Sequence, residues 1–233
     1  MRSQTNRFVY TTKAWQFLLA VLVLIPVIAN AEYEEDEYER WSVDIERYDL
    51  DIRFSDGRVF DTTLTFVGAQ GWQGFGEHVS GGLRGGFADY DQNANPLLSG
   101  LSPHNFFIGF GFDVHGSRQA RFSPMLRAYF DFVDLRDSND TRDVEIHFFS
   151  LTLKAGARVR FGRVQWLFGG VGYAIDGSEE ISGDIQNRRD IEADKAAGAF
   201  MEVEFPLGAD GSFSLGVESG ARDGWLISFA RDF

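Results

Sequence analysis

The chain has no cysteine. That excludes a disulfide framework, a thiolate metal site and a lipid anchor on an N-terminal cysteine. Histidine is scarce too: His78, His104, His115 and His147 are the full set, and no two stand close together in sequence. A histidine or cysteine metal centre therefore has no ligand cluster to draw on. Basic residues are in deficit, with Lys+Arg 22 against Asp+Glu 35 and a net charge of -13. That balance argues against nucleic acid as a partner. It argues equally against peripheral attachment to anionic headgroups. After residue 31 no apolar run reaches the ~20 residues a transmembrane helix needs. A membrane-spanning part beyond that point has to be a barrel, because only a closed sheet satisfies every backbone group in lipid.

What is present starts with a leader. Arg2, Arg7 and Lys13 precede a run from Ala14 to Ala29 that is apolar apart from Gln16, and Ala29-Asn30-Ala31 supplies small residues at a cleavage site. Residues 1–31 are expected to be a cleaved signal peptide. Glu32 to Glu39 is strongly acidic, and residues 32–45 are read as a periplasmic N-terminal tail. Residues 46–233 are then the barrel domain.

The rest alternates with a period of two, the signature of strands with two unlike faces. In the clearest case Phe149, Leu151, Leu153, Ala155, Ala157, Val159 and Phe161 lie on one face, and Ser150, Thr152, Lys154, Gly156, Arg158 and Arg160 on the other. At ~3.3 Å per residue and ~40° of tilt that strand rises roughly 30 Å, enough for the ~25 Å apolar band of an outer-membrane barrel. Similar patterns run from Tyr48 to Phe54, Phe106 to Val114, Phe122 to Phe132, Ala199 to Phe205 and Phe213 to Val217. The expected fold is all-β: an antiparallel up-and-down transmembrane β-barrel of about ten strands, with eight as the alternative. The final segment, Trp225-Leu-Ile-Ser-Phe-Ala-Arg-Asp-Phe233, places Trp225, Ile227, Phe229 and Phe233 on one face as the terminal insertion signal. Except for tight turns near Asp56-Gly57 and Arg222-Asp223, long and short connections alternate, and the stretch after Ile175 to about Lys195 reads as a long acidic loop. This orientation predicts an inner aromatic girdle of Phe161, Phe205 and Phe233 and an outer one that includes Phe149, Tyr173 and Trp225.

The segment Val164-Gln-Trp-Leu-Phe-Gly-Gly-Val-Gly-Tyr-Ala-Ile-Asp176, with the strands Ala197–Phe205 and Phe213–Glu218, resembles small opacity-type and OmpA-like outer-membrane β-barrel proteins. The resemblance covers roughly the last 90 residues. It implies the outer membrane of a Gram-negative bacterium, contact with outer-membrane lipid, and recognition of the C-terminal strand by barrel-assembly machinery. Arg231 departs from it, because the family's terminal signal usually has an apolar or aromatic residue there.

The polar faces are read as the lumen. They carry Asp49, Asp51, Arg53, Asp61, Arg84, Asp113, Arg121, Arg127, Asp131, Lys154, Arg158, Arg160, Glu202, Glu204 and Glu218. Charges in so narrow a barrel must pair or be wetted. The expectation is an ion-pair network that plugs the lumen, with Lys154, Arg158 and Arg160 facing Glu202 and Glu204. A narrow charge-lined pore is the alternative. A barrel lipase or deacylase would need a histidine beside a serine on one exposed face, oriented by an acid. Within its own strand His147 has no such serine: Ser150 falls on the opposite face, and the same-face position is Phe149. Nothing in the sequence marks a cofactor or a catalytic site, so the chain is not read as an enzyme, and its outer loops are the candidate contact for an extracellular ligand.

Overall fold

The computed structural model describes residues 39–92, 94–117 and 120–233. The expected signal peptide lies outside them. Eleven strands form among the described residues: β1 (Glu39–Phe54), β2 (Val59–Gly74), β3 (Val79–Asp91), β4 (His104–His115), β5 (Phe122–Ser138), β6 (Arg142–Phe161), β7 (Val164–Gly183), β8 (Asn187–Ala193), β9 (Ala197–Leu207), β10 (Gly211–Ser219) and β11 (Asp223–Asp232). β1 starts at Glu39, inside what was expected to be a tail of residues 32–45. Its acidic members Asp44 and Glu46 point into the barrel, and Trp41, Val43 and Ile45 point out.

Every pairing is antiparallel, and two closed paths share most of the strands. One ring of ten runs β1 to β7, then β9, β10 and β11, and closes where β11 pairs with β1 from Arg40↔Asp232 to Asp49↔Asp223. The β10–β11 hairpin stops at Ser219 and Asp223, and β8 takes over above it. β8 pairs with β7 over Asp176–Ile181 and with β1 at Ile52–Phe54, so the outer end closes through β1 to β8 as eight strands. The stretch from Ile175 to Lys195 is therefore not a long loop. β7 continues to Gly183 and β8 returns, because Ile181 and Ile191 alternate inward while Glu180, Arg188 and Glu192 face out.

The wall changes polarity partway up. In the half that holds the chain's C-terminus the outward positions are apolar: Trp41, Val43 and Ile45 on β1, Leu83 and Phe87 on β3, Ile108 and Phe110 on β4, Phe149 on β6. The inward positions there are polar. In the other half the arrangement reverses. Tyr48, Leu50, Ile52 and Phe54 are buried inside, and Asp49, Asp51, Arg53 and Asp61 face outward. The expected lumen position of these four charged residues is thereby corrected. The strands here stand in water on their outer side, so the period is kept and the sides exchange. β6 continues through Arg142, and its last outward side chains are Asp143, Glu145 and His147.

The interior of this outer half is a single apolar core. Phe66, Tyr90, Phe107, Val133, Leu135, Val144, Ile146, Phe148, Ile175, Ile181 and Ile191 all take part. Each buried aliphatic or aromatic side chain contributes roughly 1.5–3 kcal/mol relative to exposure. The connection from β3 to β4 closes the top: Leu98 joins the core, Leu97 and Leu101 pack against it, and Arg142 donates to the Leu97 carbonyl at 2.9 Å.

Candidate functional site

Below the apolar core the lumen is filled by charged side chains on inward positions of the ring. Arg84 on β3 reaches Glu46 at 2.8 Å and Asp131 at 3.3 Å. Tyr48 donates to Glu46 at 2.9 Å. Glu218 on β10 is shared: Lys154 Nζ lies at 2.7 Å and Arg222 Nε at 2.6 Å. Arg222 belongs to the turn between β10 and β11. That turn sits beneath β8, so its guanidinium enters the barrel and lies over Tyr48 at 3.7 Å and Tyr173 at 4.6 Å. A cavity of about 20 Å³ remains between Glu46, Arg84, Asp131, Lys154 and Arg222, room for one or two waters.

Closer to the C-terminal end, Arg127 lies between Asp113 at 3.1 Å and Glu202 at 3.9 Å, and Arg158 faces Asp113 at 3.8 Å. Glu204 is held by Arg40 at 2.9 Å. The partners differ from the expected set. Lys154 meets Glu218, Arg158 meets Asp113, and the two β9 glutamates are taken by Arg127 and Arg40. Arg160 is half-buried near the mouth. Arg121 is not in the lumen at all: it is exposed at the β4–β5 connection, over the ring of Phe161 at 5.5 Å. Trp72 is a buried lumen residue that the alternation of charged positions does not mark. It fills space beneath Arg127, and Gly82 and Gly111 allow it in, because a Cβ at either would meet the indole within 3.0 Å.

On the outside, Phe161, Phe205 and Phe233 are exposed at the level where strands end, and Phe149 and Trp225 are exposed near the upper limit of the apolar band. Ile227 and Phe229 also face outward on β11. Tyr173 is displaced from the expected girdle. It is 4 % exposed and faces inward against Arg222, since odd positions of β7 point to the interior.

Just above the apolar band a polar row runs across three strands. Asp134 on β5 is paired with His147 on β6, and His147 with Ser178 on β7. His147 Nδ1 is 3.0 Å from Asp134 Oδ1, and its Nε2 is 3.5 Å from Glu145 Oε2. Arg136 contacts Asp134 at 3.3 Å. Higher still, Glu179 and Arg189 form an ion pair inside the apolar core, with the guanidinium over Phe54 at 3.9 Å. Burial there pushes the Glu179 carboxyl up, against the pull of Arg189.

A closed antiparallel ring with an apolar outer band and a charged interior defines a membrane-spanning β-barrel. No family model and no curated protein matches the sequence. Among solved structures, the chain is similar to the outer membrane protease OmpT from Escherichia coli at 9% identity and TM-score 0.44, covering 88% of this chain and 98% of that one. It is similar to Ail, the attachment invasion locus protein of Yersinia pestis, at 12% identity and TM-score 0.37, covering 83% and 98%. It is also similar to the N-terminal β-barrel domain of OprF from Pseudomonas aeruginosa at 12% identity and TM-score 0.32, covering 81% and 96%. The fold rests on the strand register itself, and no activity transfers at such identities.

Proposed function

We propose that the chain is a non-conducting barrel of the Gram-negative outer membrane whose outer half serves as a projecting head for contacts at the cell surface. The apolar core from Tyr48 to Ile191 carries this reading, because it fills the outer half with aliphatic and aromatic side chains that solvate water and ions poorly. The paired charges beneath it support the same conclusion, as does the Leu97–Leu101 cover above. The resemblance of the β7, β9 and β10 segments to opacity-type barrels agrees with this role. The C-terminal strand, with Trp225, Ile227, Phe229 and Phe233 outward, is what barrel-assembly machinery would engage. The head offers a charged outer surface and the β3–β4 connection to an extracellular ligand.

Conductance of the purified protein in planar bilayers tests the closed lumen. Silent membranes are expected, and steady, reproducible open steps would replace this reading with a narrow pore. Heat-modifiable gel mobility in the outer-membrane fraction tests the location, and recovery from the soluble periplasm would end it.

A further inference from the structure

Within one strand His147 has no serine beside it on its own face. The register supplies one from the next strand. Asp134, His147 and Ser178 are consecutive partners across β5, β6 and β7, and all three occupy outward positions. His147 Nδ1 lies 3.0 Å from Asp134 Oδ1, and with the ring proton on Nδ1 the basic nitrogen is Nε2. Asp134 is 10 % exposed although it faces out, so it is held in place between His147 and Arg136. Directly paired residues have Cβ atoms ~4.5–5.5 Å apart, a separation from which a rotamer change brings a serine Oγ within hydrogen-bond reach of an imidazole. Glu145 competes for the same nitrogen at 3.5 Å, longer than a good hydrogen bond.

The location selects the substrate. Phe132 and Phe149 stand one outward position below the row, with ring centroids 5.1 Å apart, where the wall meets lipid. The ester linkages of a membrane lipid lie between its chains and its headgroup, at the height of this row. A histidine–carboxylate pair on an outer face is by itself an ordinary surface contact. The serine in register on the third strand gives it the order of nucleophile, base and orienting acid.

We infer that Asp134, His147 and Ser178 form a catalytic row that hydrolyses acyl esters of outer-leaflet lipid. Ser178 Oγ attacks the ester carbonyl carbon as Nε2 of His147 takes its proton. The tetrahedral oxyanion collapses, the carbon–oxygen bond to the alcohol breaks, and the alcohol leaves with the proton from His147. Water then adds to the acyl-serine and gives its proton to His147. The fatty acid leaves as Ser178 regains its hydrogen.

The test uses the assembled protein in detergent micelles. A fluorescent alkyl fluorophosphonate is added and the adduct is mapped by mass spectrometry; fatty-acid release from phosphatidylethanolamine mixed micelles is measured in parallel. The adduct is expected on Ser178, and both signals should vanish in Ser178→Ala. His147→Gln should lower them at least about 100-fold, the span of general-base catalysis. Asp134→Asn should lower both, with part restored by Asp134→Glu, as orientation of the ring requires. Ser182→Ala, an outward serine higher on β7, should match the parent. Heat-modifiable mobility establishes that each variant has assembled. An assembled parent without a Ser178 adduct, or fatty-acid release unchanged in Ser178→Ala, overturns the proposal.

Discussion

Phe148 and Phe149 are consecutive in β6 and face opposite media. Phe148 is 1 % exposed in the apolar core of the outer half, and Phe149 is 65 % exposed on the outer wall. Below them Lys154 and Arg158 point inward and Ala155 and Ala157 outward; above them Val144 and Ile146 point inward and Glu145 outward. The membrane boundary thus crosses β6 between His147 and Phe149. Because the chain has no cysteine, single cysteines report this directly. In lipid vesicles, Glu145→Cys should react quickly with a membrane-impermeant maleimide, and Ala155→Cys, ten positions lower on the same face, should be protected. Equal reactivity would mean that the wall is uniformly wet or uniformly covered.

The shared acceptor Glu218 makes a second prediction. Its carboxylate serves both Lys154 and Arg222, and all three side chains are less than a tenth exposed. Removing it leaves two buried cations together. Glu218→Ala should cost about 3–5 kcal/mol, the range for an uncompensated buried charge. Lys154→Met should cost less, because Arg222 still satisfies Glu218 at 2.6 and 3.2 Å. Denaturant unfolding of vesicle-inserted protein measures both, and equal losses would show that the two cations do not depend on one partner.

Much of this architecture was legible in the period-two pattern, which located strands from Tyr48 to Phe233 and their two faces. It could not say which face looks out, since that depends on the medium. Tyr48, Leu50, Ile52 and Phe54 alternate as cleanly as Phe149 to Phe161, yet they face the opposite way. β8 was hidden by composition: Asn187 to Ala193 looks like solvated loop until Ile181 and Ile191 are seen to share the core. The lumen charges were mostly identifiable, but their partners were set by shear between strands, which a single sequence does not show. That is how Lys154 meets Glu218 instead of Glu202. The Asp134–His147–Ser178 row was invisible for the same reason, as its three members come from three strands.

The ion pair of Glu179 with Arg189 lies within the outer core, both side chains at most 3 % exposed. Arg189→Met should leave the Glu179 carboxylate without its guanidinium at neutral pH and destabilise the head by about 3–5 kcal/mol. Pairing that change with Glu179→Leu should recover most of the loss, since an apolar pair of similar volume suits an apolar core. Hydrogen exchange of Ile181 and Ile191 amides reads the effect locally. A double variant as unstable as Arg189→Met alone would mean that the pair is needed for more than charge balance.

Asp56 gives a pH prediction at the tip of the β1–β2 turn, outside the membrane. Its carboxylate accepts from the Arg58 backbone N–H at 3.0 Å and from the Arg58 side chain at 2.9 and 2.6 Å. These bonds favour the charged form and hold the carboxyl down at about 2. A folded value below the unfolded one means that the turn's stabilisation is complete above pH ~4 and is lost as pH falls through about 2. A ¹³C carboxyl titration of the protein in micelles should place the Asp56 midpoint near 2, and Arg58→Ala should return it toward the ordinary 3.8. A parent midpoint already at the ordinary value would show that Arg58 does not hold the turn in solution.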